Sequence, residues 1–221
     1  MEKVIIIGSS GHAKVVIDCF EQEGKATVIG LIDSFRSTGE TTLGYPVLGN
    51  EFDLPKLLEQ HPNTQLFIAI GDNWKRRVVR DKLLSIVPQA AYATAVHPSA
   101  QLGKGVTLGH GVAVLAGAVV QPACEVGHFC LLNTRASLDH DGCLGDFSSL
   151  APGVTAGGDF SLGSFSAVGI GASVREKIRI GAHTVVGAGS VVVKDLADHV
   201  LAYGVPARMI RSRAEGEAYL A

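Results

Sequence analysis

The sequence predicts a Rossmann-like α/β domain over residues 1–92, followed over residues 93–221 by a left-handed parallel β-helix of hexapeptide repeats with a C-terminal tail. Three observations carry that prediction. Residues 1–95 hold 10 basic and 11 acidic side chains, residues 96–192 only 5 and 6, while glycine rises from 8 to 17. The second stretch keeps an unbroken period of six. The first alternates short apolar runs with helix-like patterns, the mark of a small parallel sheet.

In the first domain, residues 4–7 read as a buried strand ending at Gly8-Ser9-Ser10-Gly11-His12, with an apolar helix pattern over residues 13–20. A second strand over 27–32 ends at Asp33-Ser34; a third over 66–70 ends at Gly71-Asp72-Asn73, before a helix over 74–86. Parallel α/β sheets bind ligands beyond the carboxyl ends of their strands, and all three ends here are small, polar or acidic. The GxxG turn lets backbone amides approach a phosphate at a helix N-terminus. It falls short of the GxGxxG of dinucleotide binders and reads equally as a tight strand-to-helix turn. Asp33 follows Gly8 by 25 residues, where a ribose-binding acid or a simple turn cap would fall. Trp74-Lys75-Arg76-Arg77 with Arg80 reads as a solvated helix face, a diphosphate contact being the alternative.

The repeat starts at Val96. Stepping by six gives Leu102, Leu108, Val114, Val120 and so on to Val192, and sixteen of the seventeen positions are Leu, Ile or Val, Ala156 being the exception. Only 59 of all 221 residues are of those types, and glycine follows directly in nine hexads. Neither an α-helix nor a strand sustains a period of six. A triangular solenoid does, with one inward aliphatic per face and three hexads per coil. Nearly six coils at a strand spacing of about 4.8 Å make a prism roughly 27 Å long. Its flat faces leave little concavity on one chain, so a site is expected to need a neighbouring chain.

Candidate chemistry lies at the turns. His140, between Asp139 and Asp141, follows an inward aliphatic by two places and so projects outward. Imidazole is the usual general base near neutrality, and a carboxylate on its other nitrogen would orient it and raise its pKa. From its chemistry alone the solvated turn histidine is the favoured reading of His140, with the general base as the alternative. His110, His128 and Asp146 recur at one-coil spacing, as a hydrogen-bonded ladder or a metal column.

A formal charge of −2 gives no basic field to recruit nucleic acid or an anionic membrane. No apolar run approaches the roughly 20 residues of a membrane span. The apolar stretch before Gly8 is too short for a signal peptide, and Cys19, Cys124, Cys130 and Cys143 form no CxxC pair. A cytoplasmic protein without a metal is expected.

Gly8-Ser9-Ser10-Gly11-His12-Ala13-Lys14-Val15-Val16, Ile68-Ala69-Ile70-Gly71-Asp72-Asn73, Asn133-Thr134 with Asp139-His140-Asp141, and Tyr203-Gly204-Val205-Pro206-Ala207-Arg208 together resemble the bacterial hexapeptide-repeat sugar O-/N-acetyltransferases. That family includes nucleotide-linked 4-amino-sugar N-acetyltransferases of the bacillosamine and perosamine type and sialic acid O-acetyltransferases. The resemblance spans about residues 3–211. It implies acetyl-coenzyme A as co-substrate, a nucleotide sugar on the N-terminal domain, and a homotrimer with active sites between subunits. It makes His140 the catalytic base tuned by Asp141, although some relatives carry Glu there. It assigns Ser10, Gly11, His12, Asp33, Ser34, Gly71 and Asn73 to the nucleotide sugar. Ser149, Gly158, Ile170 and Ala188 fall to acetyl-coenzyme A, largely through backbone groups. The expected reaction is direct transfer to a sugar 4-amino group, without an acyl-enzyme. O-acetylation of a sugar hydroxyl, a metal-dependent hydratase on the same prism and a non-catalytic nucleotide-sugar scaffold are the alternatives.

Overall fold

The computed structural model describes residues 2–219. In the N-terminal domain β1 (Glu2–Ile7), β2 (Ala26–Ile32), β3 (Thr41–Thr42), β4 (Tyr45–Gly49) and β5 (Thr64–Ile68) lie in the order β3-β4-β2-β1-β5. All pair in parallel except the β3–β4 hairpin. Val4, Ile5 and Ile6 are wholly buried, because a parallel sheet has both faces covered. α1 (Gly11–Glu23) buries Ala13, Val16, Ile17 and Phe20, one apolar stripe at helical spacing, and stops at Gly24 in the left-handed region. α2 (Leu54–Gln60) and the β3–β4 hairpin are additions that the sequence reading did not contain. α3 (Asn73–Ile86) is capped by Asp72, whose carboxylate accepts from the Lys75 N–H at 2.9 Å.

The solenoid starts at Ala95–Val96 and runs to Val191–Val192 as two-residue strands, the second residue of each being a period-six position. Each strand pairs in parallel with the one 18 residues on, as Val120 with Leu138 and Leu138 with Ala156. The first face carries Ala113–Val114, Leu131–Leu132, Ser149–Leu150, Ala167–Val168 and Val185–Val186. The second carries Ser137–Leu138 and Thr155–Ala156, the third Cys143–Leu144 and Ser161–Leu162. Leu132, Leu138 and Leu150 are wholly buried in the prism. A hairpin of Val200–Gly204 and Ala207–Ser212 extends the first face.

The N-terminal domain docks on the first face and on the corner between the third and first faces. Ala13, Val16 and Phe20 share one apolar core with Ala95, Ala113, Leu115 and Leu131. Along that corner Phe129, Phe147, Phe165 and His183 stack with centroids 4.8, 5.4 and 4.8 Å apart. α3 lies on this column: Trp74 meets the Phe165 ring edge-on at 5.4 Å, and the Arg80 guanidinium covers Phe147 at 5.3 Å.

This corrects the solvated-face reading of α3. Arg76 is completely buried and donates to the carbonyls of Ile70 (2.7 Å), Gly71 (3.0 Å) and Phe129 (2.9 Å), to Asn73 Oδ1 (2.7 Å) and to Phe147 O (3.4 Å). A guanidinium offers five donors in a fixed fork, so it can satisfy carbonyls from two domains at once.

Candidate active site

His140 projects from the corner between the second and third faces. Asp141 has a φ of 57°, a left-handed conformation that Asp tolerates better than most residues. Its Oδ2 lies 2.8 Å from His140 Nδ1, while Asp139 Oδ1 accepts the His140 backbone N–H at 2.8 Å. With Nδ1–H donated to the carboxylate, Nε2 keeps its lone pair. The Asp141 hydrogen bond raises the imidazole pKa above its ordinary value, and the nearby Asp139 and Asp159 carboxylates add to the rise.

Gly158, one coil further, lies against this ring. A Cβ there would stand 2.5 Å from both Cε1 and Nε2 of His140. Gly158→Ala must therefore push the imidazole aside while leaving its chemistry intact. We expect kcat to fall by about ten- to a hundredfold with the thermal midpoint unchanged. An unchanged kcat would mean that His140 does not act from this position.

The three loops at the carboxyl ends of β1, β2 and β5 lie side by side, because those strands are neighbours in the sheet. Ser10 and Gly11 open α1, and a Cβ at Gly11 would meet open space. The Asp33 carboxylate is already engaged, by the Ser9 hydroxyl at 2.5 Å and the Phe35 N–H at 2.8 Å. Ser34 donates to Glu51. Asn73 is buried with both ends of its amide used: Nδ2 donates to Ser166 O at 2.9 Å, and Oδ1 accepts from Arg76. Its side chain joins the two domains.

Contrary to the expectation of flat, featureless faces, one chain does form a groove. The N-terminal domain overhangs the first face and encloses about 390 Å³, lined by His12, Gly71, Asn133, Ser149, Ile170 and Ala188 among others. One end is polar, with His12 and Ser149; the exposed apolar residue of the lining is Ile170, because the Val168 and Val186 side chains point into the prism core. His12 Nε2 is shut off from solvent and has no hydrogen-bond partner among the described residues. Burial, with Arg76 nearby, lowers its pKa to about 4, so the ring is neutral at physiological pH. Ser149, Ile170 and Ala188 thus share the groove, whereas Gly158 lies with His140 on another corner. A larger concavity of about 960 Å³ opens around Glu2, Thr64 and Gln65, at the amino ends of β1 and β5, the wrong end of a parallel sheet for a ligand.

The His110–His128–Asp146 column is a ladder. The His110 N–H donates to His128 Nδ1 at 3.2 Å, and the His128 N–H to Asp146 Oδ1 at 2.7 Å. Arg76, read from the sequence as part of a solvated face, and the Phe129–Phe147–Phe165–His183 column, which the sequence reading missed, build the joint beside the site. The 18-residue spacing of the column was the available signal.

The fold finds close counterparts among known proteins. PerB from Caulobacter crescentus, solved in complex with CoA and GDP-perosamine, is 41% identical over 95% of this chain and 97% of its own, with a TM-score of 0.87. This chain belongs to the hexapeptide-repeat sugar O-/N-acetyltransferase family. The acetyltransferase domain of PglB from Neisseria gonorrhoeae, solved with acetyl coenzyme A, is 30% identical over 95% of this chain and 99% of that one, with a TM-score of 0.87. The PglD N-terminal domain family matches residues 3–83. A UDP-N-acetylbacillosamine N-acetyltransferase from Bacillus subtilis is 34% identical over 120 residues, spanning only 52% of each chain. Membership of the sugar acetyltransferase family accounts for both halves of the molecule: the prism with its exposed histidine, and the α/β domain over its first face.

Proposed function

We propose that this chain transfers the acetyl group of acetyl-coenzyme A to the 4-amino group of a nucleotide-linked 4-amino-6-deoxy sugar, for glycan or surface polysaccharide synthesis. The observation that carries the reading is the His140 Nδ1–Asp141 pair at 2.8 Å, which leaves Nε2 bare as a base. Relatives solved with CoA and GDP-perosamine or with acetyl coenzyme A supply the substrate class. The amine nitrogen attacks the thioester carbonyl as His140 Nε2 takes its proton. A C–N bond forms, the C–S bond breaks, and the proton passes to the leaving coenzyme A thiolate. Backbone N–H groups of a neighbouring coil stabilise the oxyanion. The loops at Ser10–His12, Asp33-Ser34 and Gly71–Asn73 hold the nucleotide sugar, with Asn73 acting through the domain joint. Ser149, Ile170 and Ala188 line the donor path, and Gly158 leaves room for the base.

His140 and the groove occupy different corners of one prism, so a single chain does not bring base and substrates together. A closed threefold ring does, each groove facing the His140 of its neighbour. Sedimentation should give roughly three times the 23.0 kDa chain mass; a monomer at catalytic concentration would contradict the shared site. No helix among the described residues is long and apolar enough to cross a membrane. The four unpaired cysteines support a cytoplasmic setting. The reaction is tested by offering a panel of nucleotide-linked 4-amino sugars with acetyl-coenzyme A and measuring free thiol. Turnover of at least one is expected, and release with none refutes the assignment.

A further inference from the structure

The C-terminal tail closes the polar end of the groove. Beyond Ser212 the chain folds back over α3. The Arg213 guanidinium, almost wholly buried, donates to the Glu217 carbonyl, and the Glu217 carboxylate pairs with Arg211 at 2.5 Å and accepts the Ala214 N–H at 3.2 Å. Gly216 rests on Trp74 so closely that a Cβ would stand 2.6 Å from the indole Nε1. This seat delivers Tyr219 to the groove wall. Its hydroxyl donates to Gly71 O at 3.2 Å and lies 3.2 Å from Ser149 Oγ, from which it accepts. Gly71 O also takes the Arg76 guanidinium at 3.0 Å, so its two lone pairs are filled from the tail and from α3.

We infer that Tyr219 is a positioning residue for the acceptor sugar: its ring walls the polar end of the groove, and its hydroxyl fixes the Gly71 loop against the prism. The inference rests on the acetyl-transfer reading. It also reassigns the Ser149 hydroxyl, which orients Tyr219 and is not free for coenzyme A. Among the described residues the tail hydrogen-bonds to Ser149 and Gly71 but not to Ile170 or Ala188, so the donor KM is expected to move less than the acceptor KM.

The test compares full-length wild type, Tyr219→Ala and Tyr219→Phe in steady-state kinetics with both substrates varied. Tyr219→Ala should raise KM for the nucleotide-linked amino sugar about tenfold, the loss of roughly 1.4 kcal/mol of ground-state binding, with kcat within about threefold. KM for acetyl-coenzyme A should stay within about twofold, and Tyr219→Phe, which keeps the wall but loses the bridge, should recover most of the acceptor KM. A merely structural strap would instead raise both KM values together and lower the thermal midpoint, and that outcome overturns the inference. An unchanged acceptor KM in Tyr219→Ala, with an active wild type, overturns it alone. A wild type that turns over no such sugar refutes the parent reading and the inference with it.

Discussion

His140→Ala is expected to lower kcat by about 10²–10⁴-fold, the usual worth of a positioned general base. KM for acetyl-coenzyme A should hardly move, since His140 does not line the groove that holds the donor path. The wild-type rate should rise with pH through an apparent pKa belonging to the His140–Asp141 pair. The sign follows from the structure. Asp141 stabilises the imidazolium and raises the pKa, so the inactive protonated form persists to higher pH than for a free histidine. Asp141→Asn removes the largest cause of that rise. Its acid limb should slide to lower pH while kcat falls, because the ring is left with a neutral, weaker amide acceptor that can also flip and present its NH2. A limb that stays in place would deny the pair its role. His110→Ala and His128→Ala are the controls, since both belong to the ladder and should leave kcat near wild type.

Arg76→Ala should cost about 3–5 kcal/mol of stability, because it strands buried carbonyls from both domains and empties a filled site. The carbonyls of Ile70, Gly71, Phe129 and Phe147 all lose a donor, and Asn73 loses its Oδ1 partner. Denaturant midpoints at fixed protein concentration measure the effect. Arg77→Ala is the contrast: its pair with Asp81 at 2.5 Å is partly exposed, and its loss should cost under about 1 kcal/mol. Equal costs for the two variants would mean that Arg76 does not carry the domain joint.

The prism was legible in the sequence because each inward position is fixed by backbone geometry. Val120, Leu138 and Ala156 stack at 18-residue intervals whatever else the chain does. The N-terminal strands were legible from their apolar runs and polar ends. The β3–β4 hairpin was not: β3 is two residues long, Pro46 argues against a strand, and the turn puts Leu43 at a φ of 48°, where glycine or asparagine is the usual signal. α2 spans seven residues, too few for a helical period to emerge. In the site, His140 and Asp141 are adjacent in sequence, and their pairing needed only a turn that points both outward. Arg76 was misread because a cluster of basic residues looks solvated until a second domain supplies carbonyls. Tyr219 meets Gly71 across 148 positions of chain, and no local pattern encodes such a contact.

One measurement bears most directly on the proposed chemistry. The enzyme would be given acetyl-coenzyme A with a matched pair of nucleotide-linked 6-deoxy sugars, one bearing a 4-amino group and the other a 4-hydroxyl. Free thiol and acetylated product would be followed for wild type and His140→Ala. Wild type should release thiol in step with an N-acetylated product from the amine alone, and His140→Ala should do so at least about a hundredfold more slowly. Equal or faster acetylation of the hydroxyl, or a wild-type rate in His140→Ala, would contradict amine transfer by this base.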